Sequence, residues 1–547
     1  ANRGEIAVRI ARAAAELGCE TVAVYSSADA NSFHTRVTDA AVELTGAPLS
    51  AYLDIEALVT SALETGCDAI HPGYGFLSES ASFASACAAA GLTFVGPSPE
   101  ALELFGDKVA ARALAAEQGI AVVPGSDGTI ESASAAAAVA SDLGYPVMLK
   151  AAAGGGGRGL RRVDDASTLP DAFESAAREA EAAFGTRAMP VEKLIVDPRH
   201  IEVQVFGDQT GAVVHLWERD CSVQIRNQKV LEIAPAPALD PTLRDALLRD
   251  AVRLAHAARY RNAGTVEFLV EPGTGTHWFI EANPRIQVEH TVTEEITGRD
   301  LVQSQLLIAA GATLGEAGLV DIGPPRCCAV QARVVLASAG PISAYREPSG
   351  PGIRVDGFVY AGFEASAAFD PLVAKVIASA GSHDAVLDRL GRALAEFQID
   401  GVATNLAHLC ALVADDRVRR GDARTTLLDE SPVFGGGHGS PALDLFRSVG
   451  DSTVTATRRS RQGLTADGDI EAVVSPVNST VVEVLVARGE QVDEGQALIV
   501  CSAMKMETVL TAPCAGLIVE LLALAEGTTV YEGDVLALIE PGAGSGV

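Results

Sequence analysis

Residues 264–285 read GTVEFLVEPGTGTHWFIEANPR. Gly264 to Val270 and the run ending in FIEANPR are both strand-like, and two such runs can pair. Pairing would aim Glu267 from one strand, and Glu281 with Asn283 from the other, at one place. Mg²⁺ favours such hard oxygen donors, taken together with phosphate oxygens. Two isolated glutamates could equally pair with Arg285 or face solvent, so the surrounding sequence has to decide.

Outward from this stretch, the chain is strand-rich from His200 to about Phe434, with HIEVQVFG at 200–207 and AVVHLWER at 212–219, before helices return at Leu301 to Ala310 and Ala385 to Phe397. Upstream, Ala121 to Val196 carries an Ala-rich helix, an apolar strand Pro146 to Leu149, a glycine run and a helix near Asp171 to Phe184, which reads as a small separate lobe. Its strand ends in Lys150, followed by AAAGGGGRG at 151–159. Glycines let backbone N–H groups approach phosphate oxygens, and the adjacent Lys and Arg supply charge. Alone, a glycine run is more often a plain linker. At the start, short apolar runs (Thr21 to Tyr25, Ala69 to Ile70, Thr93 to Val95) alternate with helical stretches (Glu5 to Leu17, Asp54 to Thr65, Ser82 to Ala90). That order predicts βαβ units and a parallel sheet. Because the first residue is Ala1 and an α/β domain normally begins with a strand, a strand upstream of this chain is expected.

Length and composition set the frame. A chain of 547 residues predicts three or four domains, and 48% hydrophobic with 20% charged residues is the balance of a soluble α/β protein. Forty-one basic against 71 acidic residues give a formal charge of −30, which opposes general affinity for nucleic acid or anionic membrane. Phosphate chemistry must therefore use local basic clusters. The nine cysteines include no C-x-x-C pair, which fits a reducing, cytoplasmic compartment. No signal peptide opens the chain, and Ser80 to Pro99 holds too many Ser, Gly and Pro for a membrane helix.

Residues 435–469 are rich in Gly, Ser and Thr and read as a flexible linker. Beyond them, Ile470 to Pro541 contains a weak repeat: Ser475-Pro476 with Val481 to Val484 recurs 37 residues later as Ala512-Pro513 with Ile518 to Leu521. Gly495 and Leu498 likewise recur as Gly533 and Leu536. A two-fold β architecture follows. The stretch left between the copies, Cys501 to Thr508, is then a connecting turn with Lys505 exposed on it, flanked by Met504 and Met506 in a place where turn chemistry does not ask for methionine.

This tail resembles the biotinyl (biotin carboxyl carrier) domain, whose A-M-K-M signature stands here as Ala503-Met504-Lys505-Met506. Lipoyl domains usually place an acidic residue before the lysine, so Met504 favours biotin. Val477-Asn478-Ser479 and Ser502 depart from the family pattern without touching the lysine. The body resembles the ATP-grasp biotin carboxylase family over residues 1–434. The resemblance rests on ANRGEIA (1–7), HPGYGFL (71–77), GDK (106–108), the glycine loop, ERDCS (218–222) and NPRIQVEH (283–290), in family order. It implies an α/β protein with a Rossmann-like N-terminal domain (1–105), an ATP-grasp domain (106–325) with a small mobile lid at about 122–196, and a C-terminal domain (326–434). The linker (435–469) and an all-β flattened-barrel biotinyl domain (470–541) complete it.

By the same resemblance Lys108, Lys150, Gly154, Gly155, Gly156, Gly157 and His200 would bind the ATP phosphates. Glu192, Lys193, Ile195 and Leu269 would surround adenine, and Gln224 would join the nucleotide site. Glu267 and Glu281, with Asn283 nearby, would hold Mg²⁺ or Mn²⁺. Lys229, Arg285, Gln287 and the backbone of Val288 would grip bicarbonate, and Glu289 would take its proton. The resulting attack on the γ-phosphoryl group would give carboxyphosphate and ADP, a reaction governed by positioning and charge neutralisation. Arg333 matches the arginine that stabilises the biotin enolate, and biotin would be covalently attached at Lys505. After Arg333 the chain is several residues shorter than the family pattern, and Asn227 and Ile225 replace a common histidine and arginine.

A carboxyltransferase domain or subunit, a biotin protein ligase and a homo-oligomer or larger complex are the partners implied. Residues 283–295 look more like pyruvate carboxylases and single-chain acyl-CoA carboxylases than the commonest two-subunit enzymes, and acyl-CoA is the expected acceptor, with pyruvate or urea as alternatives. Another ATP-grasp ligase, or an inactive biotin scaffold, are the readings from other classes.

Overall fold

The computed structural model describes residues 1–541 apart from 127, 151–159, 185–186, 226–227, 367, 431–469, 476–478, 504–505, 523–527 and 531–533. The expected glycine loop, the linker, Asn227 and Lys505 lie outside the described residues.

In the N-terminal region the expected helices form at Gly4–Glu16, Ile55–Glu64 and Ala81–Ala89. Asp54 and Ser80 cap the latter two by accepting from the N–H groups of Ala57 and Phe83, each satisfying a donor that the first turn leaves without a helical partner. Val22–Tyr25 pairs in parallel with Ala40–Glu43, and Ala69–Ile70 in parallel with Thr93–Phe94. The expected parallel sheet is thus realised as two parallel pairs.

Three histidines of the body are buried in it, and burial pushes their imidazoles down: His34 to about 4, His71 to about 3 and His290 to about 3. Each folded value lies below the unfolded 6.5. The unfolded chain therefore takes up protons first as pH falls, and stability present above pH ~6.5 is lost progressively below it. At pH 5.5 the three together should cost on the order of 4 kcal/mol. Thermal denaturation at pH 7.5 and 5.5 reads this directly, and an unchanged midpoint would contradict it.

The centre of the body is one antiparallel sheet of eight strands: β1 (Arg199–Gly207), β2 (Val213–Ile225), β3 (Gln228–Ala234), β4 (Asn262–Val270), β5 (His277–Asn283), β6 (Cys328–Val335), β7 (Ile353–Gly357) and β8 (Leu372–Ala380). Their order is β5-β4-β1-β2-β3-β6-β8-β7. The β3–β6 pairing, with Leu231 opposite Ala332, carries the sheet without a break from the ATP-grasp region into the C-terminal region. Alternation along HIEVQV sorts β1 into two faces. Ile201, Val203 and Val205 pack with Val266, Phe268 and the helix Pro241–Ala257 through Leu247 and Leu254. His200, Glu202 and Gln204 take the opposite face, where the site is built.

In the small lobe, Val147–Lys150 pairs with Leu160–Val163 on one side and Val191–Lys193 on the other, all antiparallel. Helices Ala133–Leu143 and Leu169–Phe184 cover this sheet, burying Ala136, Ala140, Phe173 and Ala177 against Val147, Leu149 and Val163.

The tail has β9 (Glu471–Val474), β10 (Ser479–Val484), β11 (Gln491–Val492), β12 (Ala497–Ala503), β13 (Met506–Thr511), β14 (Gly516–Leu521), β15 (Thr529–Val530) and β16 (Val535–Pro541). They make two four-stranded sheets, β9-β16-β14-β11 and β13-β12-β10-β15. Exchanging the two halves of the repeat turns the first order into the second, so the two-fold relation in the sequence is a two-fold relation of the fold. Leu498, Ile499, Ile518, Leu536 and Ile539 form its core. β12 and β13 pair with Ala503 opposite Met506, and residues 504 and 505 join those paired ends in the sequence. Among the described residues no helix is long and apolar enough to cross a membrane.

Candidate active site

Register builds the site. Across the polar face of the large sheet Arg219 on β2 stands opposite Glu202 on β1, Glu202 opposite Glu267 on β4, and Glu267 opposite Glu281 on β5. Like charges directly opposed on neighbouring strands are destabilising unless something compensates them. Two cations do so, Arg219 fully buried and Lys229 largely so. The Lys229 ammonium, at the start of β3, lies 2.5 Å from Glu202 Oε2, 2.9 Å from Glu267 Oε1 and 2.6 Å from Glu289 Oε1. Arg219 directs its guanidinium to Glu202 (2.5 Å), Gln204 (2.7 Å), Thr293 (3.0 Å), Thr265 (3.1 Å) and Gln287 (2.9 Å), one bond for each of its five N–H groups. Burial works to lower the Lys229 pKa, but the three carboxylates outweigh it and hold the ammonium well above its ordinary range.

Arg285 to Glu289 runs from the end of β5 into the helix His290–Thr297. That helix stops at Gly298, whose φ of 67° suits glycine, and a Cβ there would lie 1.5 Å from Arg326 Nη2. Gln287 donates to Glu267 Oε1 (2.8 Å), as does Asn283 (3.0 Å). Glu289 is held at both oxygens, by Lys229 at Oε1 and by Arg333 Nη2 at Oε2 (3.0 Å). Burial acts to raise its pKa, and Lys229, Arg333 and Arg219 reverse this, so its carboxyl sits below the usual range and is ionised at neutral pH. Arg333, on β6, is oriented from the other side by Glu232 on β3 (2.5 Å). Arg285 is held by Glu79, 2.6 Å from its Nε, and by Asn283 Oδ1 at 3.0 Å.

Among the residues expected to bind the nucleotide, the Lys108 ammonium lies 3.9 Å from Glu281 Oε2 and is half exposed. His200 Nε2 is 2.9 Å from Glu267 Oε2, and His200 Nδ1 is 3.3 Å from Gln224 Nε2. Leu269 stands opposite His200 across the β1–β4 pairing. Glu192 and Lys193 belong to the edge strand of the small lobe. Glu192 accepts from Arg112 (2.7 Å), and the Lys193 ammonium donates to the carbonyls of Gly144 (2.8 Å) and Tyr145 (3.2 Å). Ile195 follows them and is buried. Lys150 ends the central strand of that lobe.

The structure thus brings Lys229, Glu267, Gln287, Glu289 and Arg333 into one network, with Glu281, Asn283, Arg285 and His200 at its border. Glu202, Arg219, Glu232 and Glu79 belong to it as well, and sequence reading gave them no role. A glutamate at the centre of the apolar alternation HIEVQV was the available signal for Glu202, because a strand buried on both faces tolerates a carboxylate only when it is paired.

The expected metal donors fit a hard divalent cation. Glu267 and Glu281 are direct cross-strand partners with Asn283 beside them, and burial, then the Glu267 charge, raise the Glu281 carboxyl. A cation between the two carboxylates would remove that repulsion.

Family models match in four consecutive pieces: "Biotin carboxylase, N-terminal domain" at residues 1–102, "Carbamoyl-phosphate synthase L chain, ATP binding domain" at 107–317, "Biotin carboxylase C-terminal domain" at 326–430 and "Biotin-requiring enzyme" at 471–539. Pyruvate carboxylase 1 of Caenorhabditis elegans is 48% identical over 445 residues, covering 79% of this chain and 38% of that protein. The chain therefore spans about two fifths of the length of that curated relative. Among solved structures, the biotin carboxylase domain dimer of Hydrogenobacter thermophilus 2-oxoglutarate carboxylase, bound to MgADP, ADP and bicarbonate, is 42% identical with a TM-score of 0.76, covering 79% of this chain and 97% of that one. A single-chain, multi-domain long-chain acyl-CoA carboxylase is 38% identical with a TM-score of 0.70, covering 100% of this chain and 51% of that one. The chain belongs to the biotin carboxylase family of ATP-grasp ligases and carries a biotin-requiring domain behind the carboxylase body.

Proposed function

We propose that this chain carboxylates biotin held on its own Lys505, using ATP and bicarbonate, as the first half of a reaction whose final acceptor is a 2-oxo acid, pyruvate foremost. The observation that carries the first half is Glu289, one carboxylate with Lys229 on one oxygen and Arg333 on the other. It joins the bicarbonate end of the site to the biotin end.

In this reading Lys229, Arg285, Gln287 and the Val288 N–H hold bicarbonate, and ionised Glu289 takes its proton. A bicarbonate oxygen then forms a bond to the γ-phosphorus while the bond to the β-phosphate oxygen breaks, and ADP leaves with that electron pair. Lys108, Lys150, His200 and the glycine run 154–157 would hold the phosphates, with Gln224 beside them and Glu192, Lys193, Ile195 and Leu269 about the base. Glu267 and Glu281, with Asn283 nearby, would hold Mg²⁺, which when bound would neutralise charge on the phosphate oxygens. Carboxyphosphate breaks down to CO₂ and phosphate, and the phosphate is the base for the biotin ureido N–H. Arg333, fixed by Glu232, places a guanidinium where negative charge develops. Biotin, attached through a biotin protein ligase, supplies the nitrogen that takes up the carboxyl group.

The acceptor reading changes from the sequence expectation. Acyl-CoA was expected there, whereas the curated relatives at 48% identity are pyruvate carboxylases, which supports the alternative. Acyl-CoA stays as a second reading on one observation: the long-chain acyl-CoA carboxylase matches the whole of this chain, tail included, whereas the pyruvate carboxylase matches cover 79% to 84% of it. A carboxyltransferase domain or subunit completes either reaction, and a homodimer is supported by the dimeric 2-oxoglutarate carboxylase domain. The nine unpaired cysteines support an intracellular setting.

The test gives the assembly containing the carboxyltransferase labelled bicarbonate, MgATP and, separately, pyruvate, 2-oxoglutarate and acyl-CoAs of several lengths. Label in pyruvate is expected. Label in acyl-CoA alone would overturn the 2-oxo acid reading.

A further inference from the structure

Lys375 lies in the middle of β8, opposite Arg333 of β6 in the pairing register, and its side chain is fully buried. Its ammonium meets three groups: Glu5 Oε2 at 3.0 Å, Asp356 Oδ2 at 3.9 Å and the carbonyl oxygen of Val288 at 3.1 Å. Asp356 already has a counter-ion, because Arg354 engages both of its oxygens at 2.9 and 2.7 Å. The charge partner proper to Lys375 is therefore Glu5, on the helix Gly4–Glu16, which in turn accepts from the Tyr74 hydroxyl. Burial holds the Glu5 carboxyl above its ordinary range.

A buried Lys–Glu pair often adds little net stability over apolar side chains of the same size, since desolvation offsets the attraction. Stability therefore gives a weak account of why an ammonium is enclosed here. Its uncharged partner gives a better one. The Val288 carbonyl belongs to the peptide unit that leads directly into Glu289, and the preceding peptide is fixed by His290 Nδ1, 2.7 Å from the Gln287 oxygen. In a trans peptide the N–H points away from the carbonyl, so a partner on the Gln287 oxygen turns the Val288 N–H to the other side.

We propose that Lys375 is a positioning residue of the carboxylation site: from behind the 287–289 segment it fixes the peptide that presents Glu289. Through Glu5 and Tyr74 it also ties that segment to the N-terminal domain. This rests on the reading of residues 287–289 as the bicarbonate site. Lys375 touches no reacting atom. Its loss leaves the nucleotide groups in place and disturbs the approach of Glu289 to bicarbonate.

The experiment compares the full chain with a charge-balanced Glu5→Gln/Lys375→Met double variant, which leaves no uncompensated buried carboxylate, and with Lys375→Arg. Bicarbonate-dependent ADP formation is followed at varied bicarbonate and varied ATP. In the double variant kcat/KM for bicarbonate should fall about ten- to hundredfold, as displacements of about an ångström do, while KM for ATP stays within about twofold. Lys375→Arg should recover part of the loss. Wild-type bicarbonate kinetics in the double variant would overturn the proposal, as would a parallel shift of both KM values together with the thermal midpoint. Glu289→Gln, assayed alongside, separates the two layers. If it loses activity while the Lys375 variants do not, only the role of Lys375 fails. If it keeps activity, the reading of 287–289 fails and the role of Lys375 falls with it.

Discussion

Glu289→Gln is expected to lower bicarbonate-dependent ATP cleavage by about 10²–10⁴-fold, the range by which a positioned general base accelerates a step. The amide keeps the shape of the side chain and removes the proton acceptor. Folding should survive, since Lys229 retains Glu202 and Glu267, and Arg333 retains Glu232. Glu289→Asp keeps the charge on a shorter arm and should fall between the two. Because Lys229, Arg333 and Arg219 hold the Glu289 carboxyl below its ordinary range, lowering the pH from 8 to 6 should leave this group ionised. Any acid limb in that interval then belongs to another group. Steady-state ADP release with and without bicarbonate measures the wild type and both variants, and a wild-type rate in Glu289→Gln would remove Glu289 from the role of base.

The second large effect concerns the tail. Lys505→Arg should carry no biotin and should abolish carboxyl transfer to any acceptor, because guanidinium cannot replace the amine in amide formation. The carboxylase body stays intact, so bicarbonate-dependent ATP cleavage should still be stimulated by free biotin. That stimulation should need much more biotin than the attached group does, since a tether can supply roughly millimolar local concentration. A streptavidin blot and an acceptor assay read the two halves separately. Biotin found on the Lys505→Arg chain would place the attachment elsewhere.

These expectations rest unevenly on sequence and structure. The tail was legible because its repeat is local: copies 37 residues apart map onto sheets of mirrored strand order. The body was legible in its strands, since the alternation in HIEVQV separates the face of Ile201, Val203 and Val205 from that of His200, Glu202 and Gln204. What could not be read was register between strands distant in the chain. Glu202 meets Glu267, Glu232 meets Arg333, and Lys375 meets Val288 only through contacts that span tens of residues or more. The same non-locality hid the continuity of the sheet across β3 and β6. Arg285 shows a further limit, for its contact with Glu79 lies 206 residues away. The acceptor was not legible for a different reason: the residues compared, 283–295, belong to the half-reaction that pyruvate and acyl-CoA carboxylases share.

The most direct measurement is a single turnover of the full biotinylated chain with MgATP and ¹⁴C-bicarbonate, followed by rapid isolation and proteolysis at alkaline pH. Label should appear on the peptide containing Lys505, with one ADP formed for each carboxyl retained and neither product in the absence of bicarbonate. ADP formed without bicarbonate, or a labelled chain whose label lies outside that peptide, would contradict the assignment.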